Sequence, residues 1–308
     1  MLEIITGGAL STIQDAGRFG FMKNGFTQSG VMDTRAAKTA NALLGNEPGA
    51  PVIEITMKGL TAWFTSETYF CLTGGVFKAK LNNRPINNNK VYKADKNDII
   101  SVGTAVSGMR CYLAVSGGFS VPEVMGSAST NLKIGAGGHE GRKLRTYDKI
   151  DYPEPSGKSP EGREAEITLI SPGVREIRAV PGPQSDMFDE ENISKFFSET
   201  FTVTSDLDRM GIRLEGPELK GINGNDIISD GIVFGSVQIP NSGKPIILMA
   251  DHQTTGGYAK IATVASADLP KLAQVRPGDK ISFTKITVEE AEELAVKEKQ
   301  FFDSLYNL

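Results

Sequence analysis

Acids and arginines recur together at three places in this chain, and that pairing is the first pointer to chemistry. Gln14, Asp15 and Arg18 share one glycine-punctuated stretch, Asp33 and Arg35 open a helical pattern, and Asp206, Asp208, Arg209 and Arg213 cluster later. An arginine fork holds a carboxylate bidentately, while Asp and Gln satisfy N–H and C=O groups. The mixture suits a small amide-like anion better than a sugar or an apolar ligand, although salt bridging between loops would use the same residue types. The densest stretch is Asp251-His252-Gln253-Thr254-Thr255-Gly256-Gly257-Tyr258. It follows the apolar run 245–250, which reads as a buried strand, so six polar side chains and two glycines arrive at one strand end.

Other chemistries find less support. No Gly-x-Ser-x-Gly elbow is present, and neighbours on a strand point to opposite faces, so Asp251 is not expected to orient His252 for a hydrolytic triad. With His139 and His252 the only histidines and no Cys-x-x-Cys pair, no metal centre is expected. The glycine-rich stretches at 74–75, 116–118 and 135–141 match neither phosphate-binding motif, and tight turns explain them. Arg142, directly after the last of these, remains a candidate anion contact. Met57-Lys58 lacks the second methionine of a biotinylation hairpin, so no covalent biotin is expected on this chain.

The elements that must position these residues read as mostly β. Strands are expected at 2–6, 52–56, 60–64, 69–73, 76–81, 99–102 and 110–115, and, in the second half, at 167–170, 176–180, 201–204, 227–229, 235–239, 246–250, 259–264 and 280–285. Residues 11–20 read as a loop. Asp33 is placed to cap a helix whose apolar positions are Ala36, Ala37, Ala40, Leu43 and Leu44, with Gly45 as its stop. A short helix is expected at 186–197. A final one runs from about 288 to 305, opened by the capping box Thr287-x-x-Glu290, with Ala291, Leu294, Ala295, Phe301, Phe302 and Leu305 as its apolar face.

The 308 residues allow two domains, and the stretch 151–165, with three prolines and no apolar periodicity, reads as the linker. A net charge of −4 argues against a nucleic-acid or anionic-membrane binder. No apolar run approaches the roughly 20 residues of a membrane span, and no signal peptide is evident. Cys71 and Cys111 sit in apolar runs and read as buried, reduced thiols, as expected of a cytoplasmic protein.

The ordered motifs Thr12-Ile13-Gln14-Asp15-Ala16-Gly17-Arg18, Ser29-Gly30-Val31-Met32-Asp33, Tyr112-Leu113-Ala114-Val115-Ser116-Gly117-Gly118 and Gly126-Ser127-Ala128-Ser129-Thr130 resemble the first half of a known family. Gly182-Pro183-Gln184, Asp208-Arg209-Met210-Gly211-Ile212-Arg213-Leu214, Gly235-Ser236-Val237-Gln238-Ile239-Pro240 and the stretch 251–258 resemble its second half. The family is the KipA / PxpC group, the C subunit of bacterial 5-oxoprolinase, also known as allophanate hydrolase subunit 2 or biotin-dependent carboxyltransferase-like. The resemblance implies two cyclophilin-like β-barrel domains, set here at 1–155 and 156–308, with a few short helices and a C-terminal helix. It implies a subunit that works with a KipI-like B subunit and a LamB/YcsF-like A subunit to open 5-oxo-L-proline to L-glutamate. ATP is then bound by or with a partner. The alternatives are a carboxyltransferase component acting on urea or another small amide with carboxybiotin from a partner chain, and a regulatory antagonist of a KipI-type kinase inhibitor. On the lactam reading, Asp251, Asp208 or Asp33 holds the ring N–H or acts as base. Arg18, Arg209 or Arg213, with Arg142 as a further candidate, holds the carboxylate or a phosphate, and Gln14, Gln253 and Tyr258 fix the carbonyl.

Overall fold

The computed structural model describes residues 1–166 and 173–306. With 39% of residues in strands against 18% in helices, the chain is mostly β. It divides into two compact units, Met1–Phe19, Ser29–Ile170 and Gln300–Leu308 in the first and Gly20–Gln28 and Ser171–Lys299 in the second.

The first unit is a curled antiparallel sheet. Its strands run Leu10–Gln14, Val52–Thr56, Ile99–Val115, Thr61–Phe64, Leu2–Thr6, Lys149–Ile150. Strand Thr68–Leu81 also pairs with Ile99–Val115 and carries Arg84–Pro85 and Val91–Ala94 on its other side. Side-chain alternation explains why these strands read as continuous apolar runs. Ile53, Ile55, Cys111, Leu113 and Val115 enter one core. Val52, Tyr112 and Ala114 point the other way, against Ala36, Ala37, Ala40, Leu43 and Leu44 of helix α1 (Thr34–Leu44). A sheet covered on both faces has no polar side to alternate with. Phe302 and Leu305 complete the second cluster.

The second unit is a closed seven-strand barrel. The order is Val174–Pro181, Lys280–Lys285, Thr200–Leu207, Gly211–Glu215, Ile246–Leu248, Ser236–Ile239, Thr255–Val264, and the last strand pairs back onto the first. Among the strands of this ring, only Val174–Pro181 and Lys280–Lys285 pair in parallel. Strand Asp226–Gly231 hangs on Thr255–Val264 outside the closed ring. Helix α2 (Glu190–Ser198) stacks Phe196 on Phe283 with ring centroids 4.4 Å apart. The barrel expected for each half is therefore closed in the second unit and a half-barrel in the first.

Local signals fare well where a residue type has one clear use. Asp33 accepts a hydrogen bond from Ala36 N at 2.8 Å, and Gly45 ends α1 with a φ of 71°. The Thr287–Glu290 box caps helix α4 (Val288–Tyr306) in both directions; α3 is the short Leu269–Ala273. Three expectations need correction. Residues 11–14 form strand Leu10–Gln14, not a loop, because Ser11, Thr12 and Gln14 are buried and hydrogen-bonded rather than solvated. The strand pairs 69–73 with 76–81, and 99–102 with 110–115, are each one long strand, bent through register shifts around Gly74–Val76 and beyond. Of the apolar face expected for α4, only Phe302 and Leu305 are buried, and Ala295 is exposed. The strand expected at 167–170 lies outside the described residues.

Candidate functional site

In the first unit the named residues are each held by protein groups. Asp15 ties the turn after strand Leu10–Gln14 to the 127–129 loop. Its carboxylate accepts from Gly17 N at 2.8 Å, Ser127 Oγ at 2.7 Å and Ala128 N at 2.6 Å, and also from Ser129 Oγ. Arg18, 1% exposed, donates from Nε to Val124 O at 2.9 Å and from Nη2 to Ser129 O at 3.0 Å. Its Nη1 has no hydrogen-bond partner among the described residues. Gln14 donates to Thr12 Oγ1 and Thr130 O. Asp33 caps α1, and its backbone N–H donates to the Tyr112 hydroxyl at 2.7 Å. That hydroxyl donates to Glu54 at 2.9 Å; burial and then the Glu54 and Asp33 charges push it well above the usual tyrosine range. Arg142 is held by Asp148 at 2.7 and 2.9 Å and by Glu140 at 2.7 Å.

The glycine stretch 135–141 belongs to this framework. A Cβ on Gly137 would stand 2.1 Å from Ser129 O and 2.9 Å from Arg18 Nη2; one on Gly138 would stand 1.9 Å from Thr130 Oγ1. Gly137 and Gly138 thus admit neighbouring protein atoms, whereas Gly135 has nothing within 4 Å of its Cβ position.

The second unit gathers the rest. Residues 249–254 form a turn rather than the end of a strand, because Met249 N bonds Met210 O and His252 N returns to Met249 O. The turn places Asp251 against Arg209. Nε donates to Oδ2 at 2.9 Å and Nη2 to Oδ1 at 3.2 Å, with Asp251 N bonded to Arg209 O at 2.7 Å. Both side chains are buried. His252 is 1% exposed, and its Nδ1 lies 2.7 Å from Gln253 O; burial lowers its pKa against the weaker pull of that carbonyl and of Asp251. Asp208 is exposed and fastens the preceding turn through Met210 N and Gly211 N, while Arg213 makes a surface pair with Asp206 at 2.7 Å.

Beyond this turn lies a polar cluster that the residue pattern alone did not single out. Lys260 is 2% exposed in the middle of the apolar run 259–262, and its Nζ donates to Asp230 Oδ2 at 2.8 Å. Gln184 donates to the same oxygen at 3.3 Å, while its carbonyl oxygen accepts from Lys260 N at 3.2 Å. The Lys260 ammonium, by its hydrogen bond, holds the Asp230 carboxyl below the usual carboxylate range. Gln238 is the register partner of Lys260 and so shares its face. Gln253 Nε2 reaches Gln238 Oε1 at 3.5 Å, and Tyr258, 39% exposed, lies at the rim. A Cβ on Gly256 would sit 2.7 Å from Gln238 Nε2, so the glycine keeps space for that amide. An ammonium, three amides and a carboxylate together match a small polar molecule with an anionic group and an amide. The available signal was a lysine embedded in an apolar strand; what gives it meaning is Asp230, which lies thirty positions earlier in the chain.

Comparison with known proteins places this architecture. Residues 24–285 match the family model described as carboxyltransferase domain, subdomain A and B. The chain is 38% identical to the C subunit of 5-oxoprolinase from Escherichia coli, over 99% of this chain and 97% of that protein. It is 33% identical to urea amidolyase of Lachancea kluyveri, over 97% of this chain but 17% of that protein. In the crystal structure of the K. lactis urea amidolyase, 31% identical, the fold superposes with a TM-score of 0.89 over 99% of this chain, which spans 20% of that larger one.

Proposed function

The chain belongs to the family of the carboxyltransferase domain, subdomain A and B, and from that premise we propose that it is the C subunit of a multi-subunit 5-oxoprolinase. The observation that carries this reading is the end-to-end match to the corresponding E. coli protein, 99% of this chain against 97% of the relative. Urea amidolyases contain the same region as a small part of a much longer chain.

On this reading the second unit binds 5-oxo-L-proline through the cluster around Gln238, Gln253, Tyr258 and Lys260. Amide side chains complement the ring N–H and C=O, and the Asp251–Arg209 pair fixes the turn that carries Gln253. ATP is used by the complex. On the family resemblance it is bound by or with a partner, the partners being a KipI-like B subunit and a LamB/YcsF-like A subunit. The test is reconstitution with both partners, measuring glutamate from 5-oxoproline with and without ATP; ATP-dependent glutamate is expected. A second reading, carboxyl transfer to a small amide such as urea, is favoured by the urea amidolyase superposition. It gains if the complex is inert to 5-oxoproline while the chain supports carboxylation of urea by carboxybiotin from a partner.

A further inference from the structure

An ammonium carries three N–H donors. Lys260 Nζ has one acceptor among the described residues, Asp230 Oδ2. The lysine side chain is 3% exposed and that of Asp230 53%, so a buried charge depends on a carboxylate that stands largely in water. Burying an ammonium is costly without an anion beside it.

The segment that supplies this anion is lightly held. Strand Asp226–Gly231 lies outside the closed barrel and pairs with Thr255–Val264 alone. Asp226 faces Tyr258 and Asp230 faces Gly256, so a four-residue step on the outer strand answers a two-residue step on the barrel strand. The surplus residues bulge, and Ile228 among them is 94% exposed. By contrast Lys260 and Gln184 are fixed to each other through the Lys260 N–H, and both aim donors at one Asp230 oxygen. Two preset donors therefore converge on a carboxylate carried by a strand outside the closed ring.

We infer that Lys260, with Gln184, is the anchor for the carboxylate of a small substrate, and that Asp230 occupies this position with its own carboxylate until the substrate displaces it. The inference rests on the 5-oxoproline reading for the identity of that substrate, whose one carboxylate would meet Lys260 and whose lactam would lie towards Gln238 and Gln253. Asp230 is then a positioning residue and a built-in competitor.

The assay compares 5-oxoproline with 2-pyrrolidinone, the same lactam without a carboxylate, in the reconstituted complex. Lys260→Met is expected to raise KM for 5-oxoproline by about tenfold or more, the worth of a hydrogen bond to a charged group. It should leave KM for 2-pyrrolidinone unchanged, and Lys260→Arg should restore most of the loss. Asp230→Asn is expected to lower KM for 5-oxoproline, the opposite direction. An increase in KM on Asp230→Asn matching that of Lys260→Met would overturn the competitor role, and equal losses on both lactams in Lys260→Met would overturn the anchor. A separate measurement on the full wild-type chain follows the lysine side-chain 15N resonances during titration with 5-oxoproline, acetate or 2-pyrrolidinone. One lysine signal, absent in Lys260→Met, should move with both carboxylates and not with the neutral lactam. No movement refutes the anchor. If that signal moves but the complex makes no glutamate from 5-oxoproline, the carboxylate anchor stands and the 5-oxoprolinase reading fails.

Discussion

Each unit has a cation buried almost completely, Arg18 at 1% exposure and Lys260 at 2%, and the two are held in opposite ways. Arg18 donates to the backbone carbonyls of Val124 and Ser129, groups that cannot leave without unfolding the loops they belong to. Lys260 donates to a single carboxylate on an outlying strand. On the proposed reading, the difference separates framework from site. A cation fastened to main chain organises loops, whereas one fastened to an exposed side chain can exchange that partner for a ligand. Both the Gln14–Arg18 and the 251–258 stretches are dense in polar residues, so density by itself does not distinguish the two roles.

The largest effect tests the framework side. Arg18→Met should leave one buried and one part-buried carbonyl without donors, at about 1–3 kcal/mol each. Urea denaturation should therefore show a loss of about 3 kcal/mol, with activity falling only as the folded fraction falls. Lys260→Met should lose about 1 kcal/mol or less, because the Asp230 left behind is already exposed and can rehydrate. The contrast breaks if Arg18→Met keeps its stability and loses turnover. Next in size, Asp15→Ala removes the acceptor for Gly17, Ser127, Ala128 and Ser129 and should cost about 2–3 kcal/mol by the same measurement.

A smaller effect sharpens the site side. Gly256→Ala places a methyl group 2.7 Å from Gln238 Nε2 and 2.6 Å from Ile232 Cδ1, both ends of side chains that can swing away. Stability should fall by about 1 kcal/mol, the low end of overpacking. Displacing the Gln238 amide should still lower kcat/KM for 5-oxoproline about tenfold. A destabilised variant with normal kcat/KM per folded molecule would show that Gly256 serves packing only.

What could be read in the chain follows the same division. Asp33, Gly45 and the Thr287–Glu290 box each have one local use, and each performs it. Strand Leu10–Gln14 escaped because part of what satisfies its polar residues lies more than a hundred positions away, as Thr130 O does for Gln14. In the same way an Asp-Arg pairing in sequence does not reveal whether the arginine will hold a ligand or a neighbour. Arg209 holds Asp251, Arg213 holds Asp206 and Arg142 holds Asp148. Lys260 lies two residues past the stretch that drew attention. Periodicity assigns a lone lysine in an apolar strand to solvent, and here the lysine is buried, in register with Gln238 and bonded to Asp230 of the outer strand.

The gentlest probe is pH, and it acts at the turn that links the buried pair to the amide cluster. His252 sits between Asp251 and Gln253, and burial depresses its pKa, so the folded state binds a proton less readily than the unfolded chain does. Its contribution to stability is then complete above the unfolded value of about 6.5. It is lost progressively as pH falls through that value towards the lower folded one. Thermal denaturation between pH 7.5 and 5.5 should show a Tm that declines on the acid side, and His252→Gln should flatten the decline. Arg18→Met leaves His252 in place and so provides the control. If Arg18→Met flattens the slope as much as His252→Gln does, the pH response belongs to the whole chain and the contrast between the two units does not extend to the turn at 249–254.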